Sequence, residues 1–408
     1  MRFPSLSARR NRTSRKLFVA CCGAMARRVY WSRLEEASIF LDNLDAQGTR
    51  MRQERQFILP AQARPPFFVG IDLGGTTVKI GVVDERGRPL CWHSIATEVQ
   101  RGPEDAARRM GQAVKDAIAQ AGIDAASVAR VGLGSPGTLD LREGKMINPT
   151  NFPGWGGFPV RDRVGHHCGL PVAFVNDASA AAYGEFWVGS GRAFHSMVML
   201  TLGTGVGCGI IIGDLIIEGE NGFGTECGHI IIDGCENARL CSCGMRGHLE
   251  AYASANGVIG RTRDALAAGR PSSLAKRVAA GDELTPLVVA EEAESGDALA
   301  LDIVMETARY LAQGIVSLVH TIDPSGVLLG GAMTFGMSAS ALGRRFLARV
   351  REEFQCRTFP LLAERTTIDF ATLGADAGYL GAAGIARLEH LKCRQAYAER
   401  ECSKSVEP

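Results

Sequence analysis

No apolar run in this chain approaches the roughly 20 residues that a membrane-spanning helix needs, so no helical membrane span is expected. A surplus of charge is missing too: 45 basic residues face 44 acidic ones, and the formal net charge of +1 gives no overall field for nucleic acid or an anionic membrane. Either partner would need a local patch. The 12 cysteines are scattered without regular spacing, which argues against a secreted disulfide framework and for mostly reduced thiols. Two phosphate-binding signatures are absent as well: GxxxxGK followed by Ser or Thr, and GxGxxG opening a helix. No low-complexity linker divides the chain. What remains is a sequence of 408 residues, 46% hydrophobic, long enough to bury a large core in two domains or one large one. Small-molecule chemistry is the better expectation.

The beginning differs from the rest. Residues 1–33 carry many arginines and no acid, and "LFVACCGAMA" imitates a signal peptide with a basic flank. A DNA-binding head would also be basic, but no pair of periodic helices around a glycine-bearing turn is evident. Residues 1–66 are therefore expected to be a poorly ordered basic extension or the product of a start codon assigned too early, with Met25 or Met51 as alternatives. On that view a chain beginning at Gln62 should fold, because the first core strand begins at Phe67.

From Phe67 onward the pattern is regular. "PFFVGIDLGGTTVKIGVV" reads as two strands about a glycine turn, with a third strand near Cys91 to Ala96. "GPEDAARRMGQAVKDAIAQAG" has proline and acids at its start, apolar spacing through Met110, Val114 and Ile118, and Gly122 at its end, which predicts a helix. "VARVGLG" and "PVAFVND" read as buried strands, and the alanine-rich stretch after Asp177 as a helix. Such alternation means α/β layers. The design of "IDLGGTTVKIGVV" returns in "LTLGTGVGCGIII", so two lobes each opening with a glycine hairpin are expected around a cleft. The lobes should span 67–190 and 191–375, divided near "GSGR", with a helix over 376–392 returning to the first lobe and a tail over 393–408.

Glycine turns expose backbone N–H groups where an anion can come close, and two facing cradles would suit a triphosphate. The set is Gly74, Gly75, Thr76, Thr77 and Lys79 at the first turn, with Asp72 beside it as a Mg²⁺ carboxylate, and Gly203, Thr204 and Gly205 at the second. Plain hairpins are the alternative. "VNDASA" places Asn176 and Asp177 at a strand end and helix start: both are good helix caps, and Asp177 could equally accept a proton from an attacking hydroxyl while Asn176 holds a neighbouring one. In "GTECGHI" and "CSCGMRGHLE", His229, Cys241, Cys243 and His248 have the number and kind of ligands that tetrahedral zinc prefers, whereas the CxC spacing leaves little slack for a relaxed disulfide. Buried cysteines with a surface histidine are the other reading.

In order along the chain, "DLGGTTVK", "GSPG", "NDA", "GTGVG", "ECGH", "CSCG..G.LE" and "LLGG" resemble the ROK family of sugar kinases and related repressors. The resemblance, over about Phe67 to His390, implies a two-lobed actin-like ATPase (ribonuclease H-like) fold with duplicated α/β domains around a central cleft. It implies Asp177 as catalytic base, Asn176, Glu226, His229 and Glu250 on the sugar hydroxyls, ATP phosphates on the glycine hairpins, and Gly330 and Gly331 near the adenosine. The implied activity is ATP-dependent, Mg²⁺-assisted phosphorylation of a hexose 6-hydroxyl, glucose first, in the cytoplasm, with a structural zinc and no nucleic-acid or membrane partner; a homodimer is common in the family. N-acetylmannosamine, fructose or allose kinases and a sugar-responsive repressor are the alternatives. Two positions depart from the family: His248 stands where its last zinc ligand is usually cysteine, and the basic extension takes the place of a repressor's DNA-binding domain without resembling one.

Overall fold

The computed structural model describes residues 55–147, 149 and 151–404, with side chains through residue 399. Most of the basic extension, including the signal-like stretch and both alternative starts, lies outside the described residues, as does the last part of the tail.

The first lobe is built on a sheet of β1 (Phe67–Leu73), β2 (Thr77–Val83), β3 (Pro89–Ala96), β4 (Val128–Ser135) and β7 (Val172–Asn176), in the order β3-β2-β1-β4-β7. Strands β1, β2 and β3 pair antiparallel, and β4 and β7 run parallel to β1. Helices α1 (Pro103–Gln120) and α2 (Val160–Cys168) cover one face, and a short ribbon of β5 (Leu139–Asp140) and β6 (Lys145–Met146) precedes α2. The start of α1 is set by Pro103 at its first turn with Glu104 and Asp105 beside it, and its buried stripe of Met110, Val114 and Ile118 packs on the sheet.

The second lobe repeats the plan. Its sheet is β10-β9-β8-β11-β12, from β8 (Ser196–Leu202), β9 (Val206–Ile212), β10 (Leu215–Ile216), β11 (Gly326–Gly330) and β12 (Thr367–Phe370). Again a hairpin pairs antiparallel and the later strands are parallel to its first strand. This is the duplication that the two glycine hairpins announce. Between β10 and β11 the chain forms the cysteine loop, then α4 (Glu250–Ala253), α5 (Ala255–Ala267), α6 (Ser273–Ala279), α7 (Pro286–Glu294) and the long α8 (Ala298–Ile322), which ends at Asp323 before Pro324. Helices α9 (Ala341–Gln355) and α10 (Pro360–Arg365) lie between β11 and β12.

Two helices fill the space between the sheets: α3 (Asp177–Trp187) and α11 (Ala377–Lys404). Their alanines, with Tyr183, Phe186 and Tyr379, form one core with Phe68 and Val175 of the first sheet and Met197, Met199 and Ile211 of the second. Side chains at the crossings are minimal. A Cβ added to Gly381 would lie 1.6 Å from the Ala180 carbonyl oxygen, and one on Gly209 of β9 would lie 2.4 Å from the Ala182 methyl. Among the described residues no helix is long and apolar enough to cross a membrane.

Both ends of the expected domain plan need correction. Residues 55–66 pack against the first lobe: Ile58 donates its N–H to the Pro89 carbonyl (2.9 Å), Glu85 donates to that of Arg64 (3.0 Å), and Ile58 and Ala63 join the lobe's core. Arg55 makes a forked pair with Asp376 (2.8 to 2.9 Å) and lies 3.6 Å from the Trp92 ring centre. At the other end α11 runs to Lys404 without a break at residue 392. A chain beginning at Gln62 loses the Arg55 contacts and that of Ile58. We expect it to fold but to melt about 1 to 3 °C below one beginning at Gln53, as a loss of about 1 to 2 kcal/mol implies. Equal melting temperatures by differential scanning calorimetry would show that this segment adds nothing.

Candidate functional site

The cleft is lined by the ends of equivalent strands. Strand β7 ends at Asn176 and α3 begins at Asp177, so the sheet aims this pair at the cleft. Asn176 caps the helix: its Oδ1 accepts from the N–H groups of Ala178 (2.9 Å) and Ser179 (3.3 Å), and its Nδ2 donates to the Gly137 carbonyl (3.1 Å). Asp177 also accepts from the Ala178 N–H (2.8 Å). Desolvation raises the Asp177 carboxyl to about 6 despite that bond, and the charges of Asp72 and Glu226 add to the rise. Three carboxylates from both lobes therefore share one small region.

The first glycine turn joins β1 to β2. Gly75 and Thr76 are exposed, the Gly74 N–H is closed onto the Thr77 carbonyl (3.1 Å), and Thr97 holds the Gly74 carbonyl from behind through its hydroxyl (2.6 Å). Thr77 begins β2. Lys79 is turned from the turn's apex: it pairs with Asp72 (3.0 Å) and donates to the carbonyl of Ala375 (3.1 Å). The nearest atom to a Cβ built on Gly75 is the Cβ of Asn151, 4.0 Å away. Asn151 was not singled out by the sequence; its only signal is a place among turn residues in "NPTNFPGW".

The second turn joins β8 to β9, with Thr204 exposed. Glu250 is drawn tightly to it. One carboxylate oxygen accepts from the Val206 N–H (3.0 Å) and the other from the Ser242 hydroxyl (2.7 Å), so this side chain ties the turn to the cysteine loop. A Cβ on Gly205 would lie 2.3 Å from the Glu250 carboxylate, which explains the glycine. Gly331, with φ of +92°, lies so close to Leu202 that a Cβ would stand 2.3 Å from its carbonyl oxygen; strand packing alone calls for glycine there. Gly330 is likewise confined, 2.6 Å from the Met199 methyl by the same measure.

The cysteine loop gathers the four residues that the sequence marks as ligands. One donor atom from each of His229, Cys241, Cys243 and His248 lies within 4.8 Å of the others. The His229 and His248 Nδ1 atoms are 3.3 Å apart, Cys243 Sγ is 3.2 Å from His248 Nδ1, and Cys241 Sγ is 3.7 Å from His229 Nδ1. Around a tetrahedral zinc with ordinary bond lengths, the N to N edge is about 3.3 Å and the N to S edge about 3.6 Å. The donor set therefore fits the ion in kind and spacing. The Nε2 face of His229 is turned towards Glu226 at 3.8 Å.

The chain was compared with known proteins. The model of the ROK family matches residues 68–389. This chain belongs to the ROK family. It is 32% identical over 317 residues to a glucokinase of Thermotoga maritima, covering 78% of this chain and 96% of that protein. Among solved structures, a ROK hexokinase of Thermus thermophilus superposes with a TM-score of 0.67 at 33% identity, covering 79% of this chain and 98% of that one. A ROK family glucokinase of Streptomyces griseus, solved with glucose and AMPPNP, gives 0.62 at 32% identity, with 79% and 99% covered. The actin-like fold and the sugar-kinase class expected from the motifs stand.

Proposed function

We propose that this member of the ROK family transfers the γ-phosphoryl group of ATP to the 6-hydroxyl of glucose, in the cytoplasm. The observation that carries the reading is the place of Asp177, at the junction of β7 and α3 between the two lobes, where desolvation and the charges of Asp72 and Glu226 push its pKa up to about 6. A base with that affinity is ionised at neutral pH yet still takes a proton readily. In this reading Asp177 receives the proton of the sugar hydroxyl as its oxygen attacks phosphorus, and Asn176, Glu226, His229 and Glu250 orient the sugar. The N–H groups of the two glycine turns hold the phosphates from opposite lobes. Asp72 is the carboxylate beside the first turn suited to a Mg²⁺ ion, which supplies positive charge to the phosphates when bound. Closure of the lobes excludes water, so the phosphoryl group meets the sugar rather than solvent.

In an assay offering several sugars with ATP, glucose should give the highest kcat/KM. A tenfold preference for N-acetylmannosamine or fructose would end the glucose assignment. Asp177→Asn should lower kcat by at least about 100-fold while glucose binds within a few-fold of its native affinity, since an amide can hydrogen-bond but takes no proton. The native kcat/KM for glucose should rise with pH and level off above about 6. Stability runs the other way. The folded pKa lies above the unfolded value of 3.8, so this group stabilises the fold most below that value, and the benefit is lost as pH rises through about 6. Asp177→Asn should therefore be more stable than native at pH 7.5, by up to about 3 kcal/mol in chemical denaturation. A variant retaining a tenth of kcat would remove Asp177 from the base role.

We also infer one structural zinc on His229, Cys241, Cys243 and His248. Four protein ligands leave no place for a reactive water, so the ion neutralises thiolates and braces the loop while taking no part in phosphoryl transfer. Because the braced loop holds Ser242 against Glu250, and His229 faces Glu226, loss of the ion should disturb the sugar side first. His248→Ala should lose metal and raise the glucose KM more than the ATP KM, whereas His248→Cys should keep both metal and activity. Metal analysis of the purified protein decides it: no stoichiometric zinc, or undiminished zinc in His248→Ala, would sink the four-ligand site.

A further inference from the structure

The chain crosses between the lobes twice, once from α3 to β8 through residues 188–195 and once from β12 to α11 through residues 371–376. Both crossings meet at one side chain. Glu185, in the last turns of α3, is wholly buried. One carboxylate oxygen accepts from the N–H groups of Thr372 (2.8 Å) and Leu373 (2.6 Å) on the second crossing. The other accepts from the N–H (2.9 Å) and hydroxyl (3.0 Å) of Ser190 on the first crossing and from the Thr372 hydroxyl (3.1 Å). Thr372 closes the ring, its Oγ1 taking the Ser190 N–H at 3.0 Å. Gly189 completes the fit, since a Cβ there would lie 2.1 Å from the carboxylate.

A buried carboxylate is costly unless its oxygens are satisfied, and here five donors satisfy them. Three of those donors are backbone N–H groups, so the carboxylate grips the path of the chain itself. Eight residues earlier on the same helix stands Asp177, roughly 12 Å away along the axis. We infer that Glu185 is a positioning residue of the phosphoryl transfer: it pins both inter-lobe crossings to the helix that carries Asp177, and so fixes the pivot about which the lobes bring sugar and phosphate into line. This rests on the kinase reading and on Asp177 as base, and adds to them the pivot's place and its chemistry.

The consequence separates alignment from binding. The sugar and nucleotide contacts lie at the cleft, far from Glu185, and each persists when the pivot is loosened; what suffers is the fraction of bound complexes aligned across the cleft. Glu185→Gln keeps the shape but turns a donor towards donors: whichever way the amide lies, its NH₂ faces at least one backbone N–H. Expected at 25 °C, on protein whose circular dichroism matches native, is a fall in kcat of about tenfold with the glucose and ATP KM values each within about threefold. Thr372→Val, which removes only the bridging hydroxyl, should lower kcat about two- to threefold in the same pattern, and it serves if Glu185→Gln does not fold. Small-angle scattering gives the second readout. The native radius of gyration should contract on adding glucose with a non-hydrolysable ATP analogue, and the variants should contract less. Native kcat in folded Glu185→Gln, or in Thr372→Val when that variant alone is measurable, would reduce Glu185 to an ordinary buried contact. A loss confined to the glucose KM would mean that it acts on the sugar site instead. A native enzyme that phosphorylates no sugar would remove the kinase reading and this inference with it, and that result appears in the native arm alone.

Discussion

The architecture depends on how closely α3 and α11 approach each other and the two sheets. Where Gly381 meets the Ala180 carbonyl, and where β9 meets Ala182, the layers touch backbone to backbone. Any side chain at those points would push the layers apart and carry the strand ends with them. Because α3 is wedged between the lobes, its first residue emerges at their boundary. Asp177 thereby feels the charges of both Asp72 of the first lobe and Glu226 of the second. A helix on the outer face of either lobe would have no access to that position.

The same wedge accounts for the electrostatics. A carboxylate at a helix N-terminus, accepting a backbone N–H, ordinarily titrates low. Here desolvation and two like charges outweigh those effects and raise Asp177 to about 6. Such a group costs stability at neutral pH, which a purely structural residue would have no reason to do; Asn176, one position earlier, already supplies the cap through two N–H groups. The dipeptide that the sequence allows to be merely a cap thus divides into one residue that caps and one that does not need to. This division of labour favours the proton-accepting reading.

What the sequence discloses and what it hides follow from the range of the interactions. Glycine hairpins, the α1 stripe and the proline and glycine punctuation are local, and the repeated hairpin design reveals the duplication because each copy is written in contiguous residues. The four candidate ligands could be picked out by type, since cysteines and histidines crowd together over residues 229–248. The strap over residues 55–66 left no such mark: Arg55 meets Asp376 across 321 positions, a separation that no local pattern can encode. Glu185 was hidden by its setting, as one acid in an alanine-rich helix that looks like a surface position until both crossings close over it. Lys79 has a partner that the sequence did not disclose. A lysine beside a glycine turn suggests phosphate, yet cross-strand pairing puts it opposite Asp72, where an ion pair forms before any ligand arrives.

His248 shows how a departure from a family pattern can be tested by distance. A histidine donor stands farther from its backbone than a cysteine sulfur, so exchanging one for the other keeps a site closed only if the loop shifts to compensate. The bridge pairing Ile231 with His248 and the bond from the Leu249 N–H to the Ile230 carbonyl (2.9 Å) hold His248 beside the strand-like segment that follows His229. With that register the two imidazoles meet edge to face, 5.1 Å between ring centres, and their Nδ1 atoms fall at the spacing of two nitrogens on one tetrahedral ion. At that distance the two nitrogens can share an N–H hydrogen bond or a cation. The spacing suits the proposed zinc, and the same loop presses Ser242 onto Glu250 and, through Glu250, holds the second glycine turn in place.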